Sequence, residues 1–401
     1  MQSPELRASV SFSPVCYTVA LLNVNSAMPS SDLEQLRDGQ LWNEFCDALK
    51  AAGRRVLAPG VPGDDLTRAE GYRYLTRLLR LSLEKNIEFA DPDHPQFYAL
   101  SHETAKIGND NPDNYYLNCA IDGRRDYRIT GNRGSVDYLS IETKAGSFAA
   151  GGEMAPTGHV ELAQLEIGPE GDFQLIVSAR AHTGNWLQMR PESDNILVRQ
   201  TFRDRRSERP AELRIECLNP ANSDRLDPTQ FAGQLQQVVP FVTGTADLFH
   251  QWMQVFSAHI NQLPPNDQEM CLRAGGDPSI FYHNSYWRLD EGEALVIEFN
   301  PPRRCRTWNF QLSNYWMESL DYRYHRISVN AATAVPESDG RVRLVVAHSD
   351  PGPDFPNWLT TAGHRSGGML LRYVEAEDFP AVQTRVLPHT ALQNLENGDP
   401  P

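Results

Sequence analysis

The sequence predicts an α+β chain, mainly β, built from two copies of one antiparallel β-sandwich unit of jelly-roll kind, with a helical segment before the first copy and a helical insertion between the two. Three observations lead there. Five landmarks recur in the same order at nearly equal spacings: Tyr127-Arg-Ile, Tyr138-Leu-Ser-Ile, Phe173-Gln-Leu-Ile-Val-Ser, Asn185-Trp-Leu and Ile196-Leu-Val-Arg are answered by Leu295-Val-Ile, Trp308-Asn-Phe-Gln, Val342-Arg-Leu-Val-Val-Ala, Asn357-Trp-Leu and Met369-Leu-Leu-Arg. Within each copy, short runs alternate in polarity or are β-branched, with Gly, Asp and Asn between them, the pattern of antiparallel strands. Outside the copies, apolar residues recur at helical spacing instead.

Taken in order, residues 1–30 show no periodicity. Ser31 is placed to cap a helix carrying Leu33, Leu36, Leu41, Trp42, Phe45 and Leu49 and stopping at Gly53. A second helix is predicted from Ala69 to Phe89, ending before Asp91-Pro92. Asn109 to Asn114 is dense in turn formers and reads as a turn closed by Asx side chains, since calcium loops need a different spacing. The first copy follows, with Gly171-Asp172 and, in the later copy, Asp339-Gly340 read as hairpin turns. Between the copies Asp227 to His259 is helical, with Pro240 expected to kink it. The resulting division is a helical segment over 1–110, a first β unit over 111–220, a helical insertion over 221–275 and a second β unit over 276–401.

Composition excludes several functions. The 401 residues carry a net charge of −15, so a nucleic-acid partner would require a local basic patch acting against the overall field. No apolar run approaches the ~20 residues of a membrane span, and Val15 to Val24 lacks the flanks of a signal peptide. Cys16, Cys46, Cys119, Cys217, Cys271 and Cys305 lie far apart with no CxxC pair, which fits a reduced, cytoplasmic chain. There is no G-x-S-x-G elbow and no dinucleotide fingerprint, so neither a serine nucleophile nor a nucleotide cofactor is expected.

Trp308-Asn-Phe-Gln-Leu-Ser-Asn, Asp339-Gly-Arg-Val-Arg-Leu, Asn357-Trp-Leu and Leu370-Leu-Arg-Tyr resemble the family carrying the domain of unknown function numbered 1214, often found with the related domain numbered 1254. The resemblance covers about residues 280–380, and the first copy matches more loosely. It implies sandwich or jelly-roll bodies with a helical insertion, and no general activity.

The copies differ most after the Trp308 strand. There the later copy has Asn314-Tyr-Trp-Met-Glu-Ser-Leu-Asp-Tyr-Arg-Tyr-His-Arg, where the earlier has the small, Gly-rich stretch from Thr143 to Glu153. Large polar-aromatic groups facing open space would form a pocket between the two units. Glu318, Asp321 and His325, with aromatic neighbours able to move pKa values toward neutrality, are the candidate acid–base groups. His325 is the preferred base, and Glu318 or Asp321 would orient it or act as acid. Asn314, Trp316, Tyr322 and Tyr324, with Tyr282 and His283 from the polar-aromatic cluster just before the later copy's first strand, are the candidate substrate contacts. Trp287 of that cluster reads as core. Together with His283 or Glu298 the three titratable groups could ligate a cation, but no His-x-His or HExxH pattern supports a metal, and none is expected. The Asn-Trp motifs recur in both copies and so read as scaffold. Arg199 and Arg372 read as braces held by buried ion pairs.

The expected function is a cofactor-independent acid–base enzyme, a lyase, isomerase or hydrolase of a small lipophilic substrate. The alternatives are a non-catalytic ligand- or carbohydrate-binding module and a structural subunit that self-associates into a homo-oligomer through sheet faces.

Overall fold

The computed structural model describes residues 31–150, 153–221 and 225–396; the expectations for residues 1–30 and for the Asn397-Gly-Asp-Pro-Pro end lie outside these. The chain opens with α1 (Asp32–Asp38), α2 (Gln40–Ala52) and α3 (Asp65–Leu83). Ser31 caps α1 in a reciprocal box with Glu34. The single helix expected here is broken at Gly39, whose φ of 82° only glycine adopts without cost. A π-helical turn, Glu84–Glu88, continues α3.

The first unit contains β1 (Asn114–Ala120), β2 (Tyr127–Asn132), β3 (Tyr138–Ala145), β4 (Ala155–Glu161), β5 (Asp172–Ser178), β6 (Trp186–Gln188), β7 (Asn195–Thr201) and β8 (Glu212–Cys217). Then come α4 (Pro228–Phe256) and α5 (Gln268–Arg273). Pro240 sits inside α4, which continues through it as one helix. The second unit contains β9 (Ile280–Arg288), β10 (Glu293–Phe299), β11 (Thr307–Leu312), β12 (Ser328–Asn330), β13 (Val342–Ala347), β14 (Trp358–Thr360), β15 (Ser366–Val374) and β16 (Gln383–Pro388), followed by α6 (Leu392–Glu396).

These strands form four four-stranded sheets in two pairs, ordered β1-β7-β3-β4 with β6-β5-β2-β8, and β12-β11-β15-β9 with β14-β13-β10-β16. Each strand of the first unit occupies the place of the strand eight later in the second. Even the one parallel contact is repeated, β5 with β6 and β13 with β14. Register corrects one landmark by a residue. Ser140 faces Arg199 and Asn309 faces Arg372, which equates Tyr138 with Thr307 and Leu139 with Trp308. Because side chains alternate across a sheet, that shift exchanges faces: Leu139 and Ile141 enter one core, Trp308 and Phe310 the other.

Each pair of sheets shares one core, around Ile129, Leu139, Leu175 and Val198 in the first unit and around Trp287, Phe310, Leu344 and Leu371 in the second. Gly171 and Gly340 are turns at positive φ. They are not hairpins, because the strand before each, β4 or β12, pairs in the other sheet. The Asn-Trp motifs close equivalent turns: the Asn185 amide donates to the carbonyls of Glu166 and Gln174, and the Asn357 amide to those of Val335 and Arg343. No helix among the described residues is long and apolar enough to cross a membrane.

Candidate functional site

The opposite faces of the β1-β7-β3-β4 and β12-β11-β15-β9 sheets carry the polar members of the alternation. Tyr116, Asn118 and Arg199 lie on one, and Tyr282, Asn284 and Arg372 on the other. All six line a single cavity of about 160 Å³. Helix α4 supplies Phe241, Phe249 and Trp252 to the same wall, and the loops after β3 and before β9 supply Phe148 and Gly276. Phe148 packs edge-on to Phe249, with ring centroids 5.6 Å apart. Its loop approaches α4 so closely that a β-carbon on Gly244 would lie 2.2 Å from the Phe148 carbonyl oxygen. Other concavities, of about 220 and 260 Å³ near Arg306 and Phe379, have no comparable set of aromatic and convergent polar groups.

Arg199 and Arg372 are only 6% and 5% exposed. Arg199 pairs with Glu142 and lies 3.5 Å from Asp277, both fully buried. The ion pair expected of Arg372 is absent among the described residues. It donates instead to Gln311 Oε1 at 2.6 Å, to Asn309 Oδ1 at 3.3 Å and to the Asn109 carbonyl. Burial lowers the Arg372 pKa from its usual range, against the attraction of Tyr116, Tyr282, Asp110 and Asp113. Lys85, in the π-helical turn, also lines the cavity, and burial lowers its pKa with Asp194 opposing.

Burial pushes the Asp113 carboxyl up to about 6, against the pull of Asn330 and the Arg372 charge. A carboxyl raised on folding lends stability at low pH that is lost as pH climbs through its folded value. Asp113→Asn is therefore expected to raise the melting temperature at pH 8 and to leave it nearly unchanged at pH 4, which thermal denaturation at the two pH values checks.

The residues expected to carry chemistry are dispersed. Of the nine, Tyr282 alone lines this cavity. Glu318 is buried against Arg77 at 2.5 Å and accepts from Asn314 Nδ2 at 3.2 Å. Burial raises its pKa, with Arg77 opposing. Trp316 is buried and donates from its indole nitrogen to the Thr67 carbonyl at 2.9 Å. Asp321 is clamped by Arg323, which lowers its pKa to about 2. Lys106 lies over the Tyr322 ring. Tyr324 is 76% exposed, and His325 is exposed beside it. His283 faces the second core, with Nδ1 3.1 Å from the Leu263 carbonyl. The loop thus docks the second unit onto α3 and α4, through Trp316 on Gly71 and Tyr315 on Gln254.

Glu142, His159 and Asp277 are the one trio among the described residues close enough to share a cation. Lys144, 2.6 Å from Glu142, and Arg199 already supply positive charge there. The donor set is thus neutralised by the protein itself, and a metal would have to displace both cations.

Comparison with known proteins agrees with the architecture. A solved protein of Burkholderia cenocepacia, itself uncharacterised, is 48% identical over 89% of this chain and 99% of its own, with a TM-score of 0.87. The family described as "Protein of unknown function (DUF1214)" matches residues 284–378. The chain's second unit belongs to the DUF1214 family. A solved protein of Vibrio parahaemolyticus shares 12% identity over 78% of this chain and 98% of its own at a TM-score of 0.46, too distant to carry more. No curated protein matches. The DUF1214 match falls within the second unit, between Asn284 in β9 and Asp378 after β15, so it includes Arg372 and Gln311 of the cavity region.

Proposed function

We propose that this DUF1214 protein holds a small lipophilic molecule in the cavity between its two β units. The observation that carries the reading is the wall. Phe148, Phe241, Phe249 and Trp252 offer ring surface to the same space that Tyr116, Tyr282 and Arg372 enter with polar groups. Ligand sites are built this way, apolar over most of the surface with a few convergent polar groups that fix orientation. A volume of about 160 Å³ is on the scale of a single aromatic ring.

Reversible binding is the use this wall supports most directly. An acid–base step, whether of lyase, isomerase or hydrolase type, would draw on Lys85, which lines the cavity and whose pKa burial lowers, rather than on Glu318, Asp321 and His325. We read each pair of sheets as a sandwich of jelly-roll kind, supported by the single core that each pair encloses. Cys46, Cys119, Cys217, Cys271 and Cys305 are free thiols, which supports a reducing, cytoplasmic compartment.

The test is ¹⁹F NMR with the neutral single-ring probe 4-fluorobenzyl alcohol. Saturable line broadening is expected with the native protein. Broadening should be lost in Leu197→Trp, which fills the cavity from β7, provided the variant melts as the native protein does. Broadening that persists unchanged in Leu197→Trp, or none with either protein, would overturn the proposal.

A further inference from the structure

Strand register equates the two units residue by residue, and the equivalence reaches into the cavity. Arg199 faces Tyr116 on one side and Ser140 on the other; Arg372 faces Tyr282 and Asn309. Two positions along, Glu142 opposes Leu197 as Gln311 opposes Leu370.

The segments that cross between the units match as well. The Asn111 backbone N–H donates to the Tyr116 hydroxyl at 3.0 Å, and the Asp277 N–H to the Tyr282 hydroxyl at 3.0 Å. Asn111 Oδ1 then accepts from Asn309 at 2.7 Å, where Asp277 accepts from Ser140 at 2.9 Å. Arg372 donates to the Asn109 carbonyl and Arg199 to the equivalent Gly275 carbonyl. The frames coincide, and the charges do not. Glu142 and Asp277 surround Arg199; their counterparts around Arg372 are the amides Gln311 and Asn111.

A buried guanidinium supported only by neutral acceptors retains most of its attraction for an anion, whereas one paired with two acids has spent it. Asp110 and Asp113 act on Arg372 from a distance, but neither pairs with it among the described residues, and the Asp110 carboxylate is occupied by the Ser319 backbone N–H at 2.9 Å and hydroxyl at 2.8 Å. Lys85 adds a second cation to the same wall. The planar fork of an arginine matches a carboxylate in shape as well as charge.

We propose that the cavity's ligand carries a carboxylate and that Arg372 is its anchor, the duplicated site carrying internal acids on the Arg199 side only. This assignment rests on the reading that the cavity binds a lipophilic molecule. Arg199, already neutralised, takes no part in holding the anion.

The experiment compares two probes of one shape, 4-fluorophenylacetate and 4-fluorophenylacetamide, titrated by ¹⁹F NMR. With the native protein the carboxylate is expected to bind at least about tenfold more tightly than the amide, a gap of ~1.4 kcal/mol. Gln311→Glu gives Arg372 the acid that Arg199 has and changes almost nothing in shape. It should bring the two affinities close to equal by weakening the carboxylate alone. Should that variant fail to fold, Arg372→Gln is measured in the same way with the same expectation. Equal affinities in the native protein, or a preference that survives the substitution, would overturn the anion assignment while leaving the cavity reading in place. If neither probe binds, both fall.

Discussion

Replacing Arg199 by methionine is expected to cost about 3–5 kcal/mol of folding stability, the usual penalty for removing one partner from a buried ion pair. Glu142 and Asp277 are fully buried. Without the guanidinium, Lys144 remains for Glu142, but Asp277 keeps, among the described residues, only His159 at 3.7 Å, the longer-range attraction of Lys144 and hydrogen bonds from neutral groups. Arg372→Met at the equivalent position leaves amide and carbonyl acceptors unpaired, a smaller loss of about 1–3 kcal/mol. Urea unfolding of the two variants measures the difference directly. Equal losses would mean that the two arginines sit in equivalent electrostatic surroundings, contrary to the charge asymmetry described above.

Trp287→Ala should cost a further ~3–5 kcal/mol, measured in the same way. The side chain is wholly buried in the second core beside Phe310 and Leu371, on the face of β9 opposite Tyr286. Removing it opens a cavity that the rigid sheets around it close only in part. Tyr324→Ala, by contrast, removes a ring that is 76% exposed and should change stability by less than ~0.5 kcal/mol. A small loss at Trp287, or a large one at Tyr324, would show that the loop and strand environments are not as described.

Much of the architecture is legible in the sequence because the inward faces repeat. Ile-Leu-Val-Arg and Met-Leu-Leu-Arg mark the same central strand twice, and the Asn-Trp pairs mark the same turn. What escapes is weakly apolar or short. β4 carries Pro156 and Gly158, β8 is an alternating strand with no fully buried residue, and β6 spans only Trp186–Gln188. The Tyr138–Trp308 match slips by one residue because both positions are aromatic, and only register reveals that they face opposite ways.

The site was harder to read for a different reason. Glu318, Asp321 and His325 attract notice by proximity in sequence, yet that loop serves to dock the second unit onto the helices. The cavity gathers Lys85, Tyr116, Phe249, Tyr282 and Arg372, which no local window contains. One signal was available: an arginine as the one charged residue of a buried central strand, repeated in both copies. Its partners decide its meaning, and the exchange of Glu142 for Gln311 becomes visible only once the two strands are aligned in space.

The most direct test of a ligand cavity between the units is to locate a bound molecule. Crystals soaked with 4-bromophenylacetate should show bromine anomalous density among Phe148, Phe249 and Trp252, with the carboxylate at Arg372. Bromine found only on the outer surface, beside Tyr324 and His325 or elsewhere, with the cavity unoccupied, would contradict the account.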